Sequence, residues 1–278
     1  MDALYIISTY VLIDDTLKLM GFRDHHHAQV STAEILTVAV IAAKYFQNHH
    51  ERALCVLQLT HYIPKLSVSR FNRRLHQAWH LLQELLTFLA HLRLKPAAYI
   101  VDTMPLPVCR KVRADDCRKI PQTEGYIGWS ASKQSWFCGW RLHWLCNQEG
   151  FPIAFDIVPA VWHELTTLQL LAADLPSESL IYGDGAYVSH DHRALLLASG
   201  IRLIARSHPG MINQNTALQR RQLRRYGNVI ETAHSLLEKM GVQRLHAVTQ
   251  AGFGIKVYAS IFALACNCLF NSTLFTSN

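Results

Sequence analysis

A chain of 278 residues, half of them hydrophobic and 17% charged, can bury a sizeable core in one large domain or two modest ones, which excludes a low-complexity or disordered protein. A formal charge of +7 favours a polyanionic partner, nucleic acid being the simplest, and 16 histidines make that charge sensitive to pH below neutrality. Seven cysteines, at 55, 109, 117, 138, 146, 266 and 268, are odd in number and lack CxxC spacing, which suits reduced, mostly buried thiols in a cytoplasmic protein.

Residues 1–95 read as almost entirely helical. Asp2, Asp14, Asp15 and Lys18 interrupt the first twenty residues, so no signal peptide is expected there. Ser31 and Glu34 form a capping-box pattern ahead of the apolar run Ile35, Leu36, Val38, Ala39, Ile41 and Ala42, a buried helix. After the break at Ile63-Pro64, Ser67 or Ser69 caps a long helix to about Leu92, with Phe71, Leu75, Trp79, Leu82, Leu86 and Leu89 along one face. Its first turns expose Arg70, Asn72, Arg73 and Arg74, as a DNA recognition helix does: Arg for phosphate or guanine, Asn for adenine. An ordinary amphipathic helix with a basic outer face accounts for these residues equally well. His25-His26-His27 and His49-His50 have no partnering Cys or acid at ligand spacing and are expected on the surface.

From residue 97 the texture changes to short Val, Ile, Phe and Trp runs. Strands are expected at 98–102, 136–146, 151–158, 180–184 and 201–206, and helices near 163–174, 190–198, 216–239 and 254–269. That order predicts an α/β fold, a mixed sheet flanked by helices and preceded by the helical region, with Asn147-Gln148-Glu149-Gly150 closing a hairpin. The expected division is 1–95, a helical DNA-binding region, and 96–278, a catalytic domain. A basic irregular loop carries Arg110, Lys111, Arg113, Arg118, Lys119 and Lys133. Between 201 and 230 six arginines occur without an Asp or Glu; Arg220, Arg221, Arg224 and Arg225 are at helical spacing and form a strip for phosphates. The most membrane-like window, Gly254 to Phe270, is interrupted by Lys256 and Asn267 and is shorter than the roughly 20 apolar residues a span needs, so a buried terminal helix and no membrane are expected.

Three acids stand out by context. Asp102 follows Ala97-Ala98-Tyr99-Ile100-Val101, Asp184 follows Leu180-Ile181-Tyr182-Gly183, and Glu231 lies inside the helical Asn228-to-His234 segment. Singly, each has an ordinary explanation: a turn before Pro105, a Gly-Asp-Gly turn, a solvated helix carboxylate. Asp115, Asp116 and Glu124 are alternative acids without a flanking apolar strand.

Taken together, the acids and the blocks Tyr99 to Cys109, Gly139-Trp140-Arg141-Leu142-His143, Val161-Trp162-His163-Glu164, Tyr182 to Tyr187 and Arg225 to Thr232 resemble the DDE transposases of bacterial insertion sequences, over roughly residues 97–270. The resemblance implies an RNase H-like catalytic core in which Asp102, Asp184 and Glu231 hold two Mg2+ (or Mn2+) ions about 3.5–4 Å apart for phosphoryl transfer. It makes Arg141 and His143 candidates for contacts to the scissile phosphate or nucleophile and gives His163, with Glu164, a supporting role. A basic edge pair on the hairpin and a first-turn helix acid account for the same residues. It further implies double-stranded DNA partners, namely the element's terminal inverted repeats and target DNA, a homodimer on DNA, and a bacterial cytoplasmic location with the nucleoid. The function implied is metal-dependent end cleavage and strand transfer. A nuclease of the same fold that cuts without joining, and a catalytically inactive DNA-binding derivative, are the alternatives.

Overall fold

The computed structural model describes residues 1–109, 114, 117, 119–121, 124–130 and 133–274. The chain packs as two compact units, Met1–Phe88 with Leu236–Asn278, and Leu89–Ser235.

The first unit is helical. It contains α1 (Ala3–Leu19), α2 (Thr32–Phe46), α3 (His50–Leu59), α4 (Val68–Ala78), most of α5 (His80–His91) and, from the end of the chain, α9 (Gln250–Leu274). Its centre is α2, whose Leu36, Val38, Ala39, Val40, Ile41 and Ala42 have no solvent exposure. Ser31 and Glu34 close the expected capping box at its start. The expected long helix from Ser67 is capped by Ser67 but broken at Trp79, where Leu82 N–H donates back three residues to the Trp79 carbonyl, a tighter turn than an α-helix makes. Arg74 differs from the expected DNA-facing set: its guanidinium donates to the Val30 carbonyl and pairs with Asp24 at 3.6 Å. Arg70, Asn72 and Arg73 remain exposed.

The C-terminal helix is where the expected division at 95/96 differs from the packing. Tyr5 Oη donates to the Ala263 carbonyl at 3.1 Å, Lys44 Nζ to Asn267 Oδ1 at 2.6 Å, and the buried Asn48 Nδ2 to Met240 O and Ser260 Oγ at 3.0 and 2.9 Å. These bonds stitch α9 to the first helices of the chain rather than to the sheet. By length and composition Gln250–Asn271 could cross a membrane, but 67% of its most apolar stretch is buried in this unit, as the buried-helix expectation requires. His50 also departs from the surface expectation: it packs edge-on against Phe71 at 5.9 Å between ring centres. Burial holds its pKa down at about 3, helped by the nearby cations Lys256, His76 and His49.

The second unit holds a mixed sheet of six strands among the described residues, β1 (Ala98–Cys109), β2 (Ile127–Ser130), β3 (Ser135–Asn147), β4 (Pro152–Pro159), β5 (Leu180–Gly183) and β6 (Arg202–Ala205), in the order β2-β3-β1-β5-β6 with β4 also on β3. β3 runs antiparallel to β1, β2 and β4, and β5 runs parallel to β1 and β6. β1 runs on to Cys109, past the expected end at 102 and through Pro105 and Pro107. β5 pairs only with Ala98 to Ile100, so both prolines fall where β1 has a neighbour on one edge alone and a missing N–H leaves no ladder bond unmade. Tyr99 and Val101 point to one face, into a core with Leu168 and Leu171 of α6 (Leu168–Leu171) and Leu196 of α7 (His190–Ala198). The opposite face carries α8 (Ala217–Lys239), whose Tyr226 ring lies 4.7 Å from that of Tyr182. The helix expected at 163–174 is shorter, a 3-10 turn at Glu164–Thr166 followed by α6. The expected hairpin is present, Asn147 Oδ1 accepting from the Glu149 and Phe151 amides. The seven cysteines form no disulfide, as expected, but only Cys138, Cys146 and Cys266 are buried; Cys109, Cys117 and Cys268 are partly exposed and Cys55 is exposed. Arg110, Lys111, Arg113, Arg118, Asp115 and Asp116 of the expected basic loop lie outside the described residues.

β3 approaches β1 closely at Gly139, beside the register shift between Pro107 and Cys109. A Cβ there would lie 2.4 Å from the Leu106 carbonyl oxygen and 2.9 Å from the Val108 nitrogen, and both obstacles are backbone. Gly139→Ala is therefore expected to destabilise the sheet unit by about 1–3 kcal/mol. Urea denaturation of the variant beside the parent chain measures it.

Candidate active site

Asp102, Asp184 and Glu231 come from three elements and line one cavity of about 240 Å3, together with Ile100, Tyr182, Arg206 and Ile230. Asp102 lies within β1 opposite Trp144, on the face covered by α8. Asp184 caps the 3-10 turn Gly185–Tyr187, its Oδ1 accepting from the Ala186 amide at 2.9 Å. Glu231 projects from α8, on which Ile230 and Ala233 are buried against the sheet while Glu231 itself stays exposed.

The electrostatics follow from crowding carboxylates with little countercharge. Burial pushes the Asp102 carboxyl up to about 7; a hydrogen bond from the Thr103 amide at 2.7 Å opposes that, and Asp184, Glu164 and Glu231 push it further. Burial likewise raises the Asp184 carboxyl, with Glu164 adding and Arg206 and His208 opposing. Tyr187, from the Gly185-Ala186-Tyr187 turn, is fully buried, and its hydroxyl has no hydrogen-bond partner among the described residues. Its pKa is raised by burial and then by Asp102, Glu164 and Asp184.

His234 is a site neighbour that pattern reading passed over. It stands one helical turn after Glu231, accepts the Trp144 indole N–H on Nε2 at 2.8 Å, and brings Nδ1 to 3.8 Å from Asp102 Oδ2. Burial lowers its pKa to about 4, so the ring is neutral near pH 7. With Nε2 accepting, the proton of the neutral ring sits on Nδ1, toward Asp102. The signal available in the sequence was the i, i+3 spacing to Glu231, which puts both side chains on one stretch of helix surface.

The other sequence candidates fall elsewhere. Arg141 and His143 are opposite Pro105 and Thr103 on the β1–β3 ladder, one residue out of step with the Asp102–Trp144 pair and hence on the other face of the sheet. Neither lines the acidic cavity. Arg141 is tied to Glu164 at 3.3 Å and to the Trp129 and Ala160 carbonyls at 3.1 and 3.4 Å. His143 has no exposure and pairs through Nδ1 with Thr167 Oγ1 at 2.5 Å. In this structure both lie on the face of the sheet opposite the acidic cavity. His163 caps the 3-10 turn before α6 and lies 3.7 Å from Glu164, itself a fourth acid near Asp102 and Asp184. Arg220, Arg221, Arg224 and Arg225 are all exposed on α8.

Among the described residues no three His, Cys, Asp or Glu side chains are grouped tightly enough to form a ready-made metal site. The chemistry of the donors nonetheless fits a hard divalent cation: three carboxylates share a cavity, and burial, with the neighbouring acids adding, holds the Asp102 pKa near 7.

Comparison with known proteins gives two findings. The family model described as the transposase DDE domain matches residues 95–247, more than half of the chain. Among solved structures, a piggyBac transposase synaptic complex with hairpin DNA, determined by cryo-EM, aligns with a TM-score of 0.52 over 96% of this chain and 76% of that one, at 11% identity, a likeness of fold. The search among curated proteins finds no match.

His143 gives this part of the molecule an acid-sensitive joint. Burial holds its pKa at about 4, Arg141 adding to the depression, Glu164 opposing it and His163 adding to it again. Unfolded, a histidine titrates near 6.5. The unfolded chain thus binds more protons between about pH 6.5 and 4, and stability falls as pH drops through that window. His143→Asn is expected to flatten this fall by up to one proton's worth of slope, measured as urea midpoint against pH.

Proposed function

The chain belongs to the transposase DDE domain family, and from that premise we propose that it is an active DNA transposase that cleaves the ends of its element and joins them to target DNA through a divalent-metal site at Asp102, Asp184 and Glu231. The observation that carries this reading is the convergence of the three acids, from two adjacent strands and a helix, on one cavity. The strand order, with β1 central, antiparallel to β3 and parallel to β5, supports reading the sheet as an RNase H-like core.

Two Mg2+ or Mn2+ ions, when bound, would lower the pKa of an attacking water or 3′ hydroxyl and neutralise charge on the scissile phosphate. Asp102, on the central strand, would hold these ions together with Asp184 and Glu231, the other two acids of the cavity wall. His234 places its Nδ1 edge 3.8 Å from Asp102 Oδ2, a neutral donor beside that carboxylate. Tyr182, packed against Tyr226, and the buried Ile230 contribute apolar surface to the cavity wall. The exposed Arg70, Asn72 and Arg73 at the start of α4 are the groups offered to the element's terminal repeats. Acting on two ends at once calls for two copies of the chain, hence a homodimer on DNA.

Asp102→Asn, Asp184→Asn and Glu231→Gln should each reduce magnesium-dependent cleavage by more than the roughly 10–100-fold cost of losing a residue that merely orients a metal ligand, and leave gel-shift affinity for DNA intact. Chelation with EDTA should do the same to the parent chain. Cleavage that survives in any one variant removes that residue from the site. An assay with pre-cut ends separates joining from cutting, and absence of joined product would leave a nuclease.

A further inference from the structure

Beside the acidic cavity is a second one of about 470 Å3, and the two share Arg206 and Leu223 in their walls. The charge is reversed: Arg206, Arg220 and Arg224 line the second cavity and no acid does. The polar groups around it are unequally available. Asn215 Oδ1 accepts from the Ser207 amide at 2.6 Å while its Nδ2 donates to the Ala205 carbonyl at 3.1 Å. Gln214 donates to the His208 and Met211 carbonyls at 2.8 and 2.7 Å and accepts from Ser207 Oγ at 2.8 Å. Both amides are thus used in folding the segment between β6 and α8. Arg220 gives one nitrogen to the Asn215 carbonyl at 2.6 Å. The side chains of Arg206 and Arg224 make no hydrogen bond or ion pair among the described residues. What the cavity offers a ligand is therefore guanidinium, with Leu223 and Pro209 as apolar wall.

Free guanidinium groups in a concave site without a carboxylate are built for a phosphate or another oxyanion. The volume lies within the range of small-ligand sites and so exceeds what a bare phosphate needs. We propose that this cavity seats one nucleotide of the DNA strand whose neighbouring phosphodiester enters the acidic cavity. Its phosphate lies on Arg206 and Arg224, with Arg220 behind them, and its sugar and base edge rest against Leu223 and Pro209. This rests on reading the acidic cavity as the place of strand cleavage. Because Arg206 stands in both walls, it fixes the step from one phosphate to the next along the strand and registers the bond to be cut against Asp184. Arg221 and Arg225, exposed elsewhere on α8, are no part of this seat. Backbone contacts of this kind set position without reading sequence.

The test uses the full chain, a 30-base-pair duplex of arbitrary sequence, thymidine 3′,5′-bisphosphate and inorganic phosphate. The double variant Arg206→Gln with Arg224→Gln should bind the duplex at least roughly tenfold more weakly, in line with hydrogen bonds to charged groups. Its plot of log affinity against log salt should be shallower by about one unit per lost phosphate contact. Thymidine bisphosphate should compete with the duplex for the parent chain and not for the variant, and inorganic phosphate should compete far less well. Unchanged affinity and slope would overturn the proposal, as would equal competition by inorganic phosphate, which would mark a plain anion site. If the glutamine variant fails to fold by circular dichroism, Arg206→Lys with Arg224→Lys keeps the charge: it should retain most of the salt slope and lose the bisphosphate competition, and retained competition would overturn the seat. None of these readings depends on cleavage. Loss of the acid-variant phenotype with these results intact would count against the catalytic reading, and the reverse pattern against the nucleotide seat alone.

Discussion

The parallel pairing of β1 with β5 is the constraint from which the site follows. Its register runs Ala98 with Leu180, Tyr99 with Ile181 and Ile100 with Tyr182, and stops there. Two residues further on each strand stand Asp102 and Asp184, 82 positions apart in sequence and brought side by side where the ladder ends. Their proximity is imposed by the hydrogen bonds of apolar residues that have no chemistry of their own. A sheet whose inner strand is buried on both faces holds such a register firmly, since a slip of one residue would turn every buried side chain outward.

That is also why much of the site could be read from the sequence and some could not. An acid directly after a Val- and Ile-rich run is visible as a strand-end carboxylate, and Asp102 and Asp184 are both of this kind. Glu231 could be placed on a helix because α8 has a plain polar and apolar periodicity. The capping box at Ser31 and the cap at Ser67 are short-range chemistry and were equally legible. What escaped was decided by partners far off in the chain. Arg74 looks like its exposed neighbours Arg70 and Arg73 until the Val30 carbonyl and Asp24 claim it. His50 looks like His49 until Phe71 covers it. The extension of β1 through two prolines depends on which edge of the strand lacks a neighbour, and strand periodicity carries no such information. Likewise α9 follows the acid-bearing segment in sequence but bonds to α1 and α2, which no local pattern announces.

The case of Arg141 and His143 shows how a correct local reading can lead to the wrong face. Their i, i+2 spacing does put them on one side of β3. The antiparallel register then pairs His143 with Thr103 and Trp144 with Asp102, so Asp102 and Trp144 share the face of α8 while Tyr99, Val101 and Leu145 face α6. Arg141 compensates Glu164 there, and His143 stays neutral against Thr167. Both serve the packing behind the acids, the side from which Glu164 still raises Asp102 and Asp184.

The acids and the arginines then divide along α8 itself. Glu231 and His234 occupy the helix past Gly227, while Arg220 and Arg224 occupy its first turns, and Leu223 stands between the two cavities. A carboxylate cavity that is short of positive charge repels a phosphate unless something supplies that charge. Cations held by the acids can do so at the reacting bond, but only once the strand is close. Guanidinium groups in the adjoining cavity act on the phosphate beside it and need no proton or ion to be charged at any ordinary pH. On the proposed reading the strand is drawn in by its non-reacting phosphate first, and Arg206 at the shared wall also opposes the rise in the Asp184 pKa that burial, with Glu164 adding, produces. The proposed reading thus puts attraction and chemistry on neighbouring phosphates, so that neither group would have to compromise its own geometry for the other.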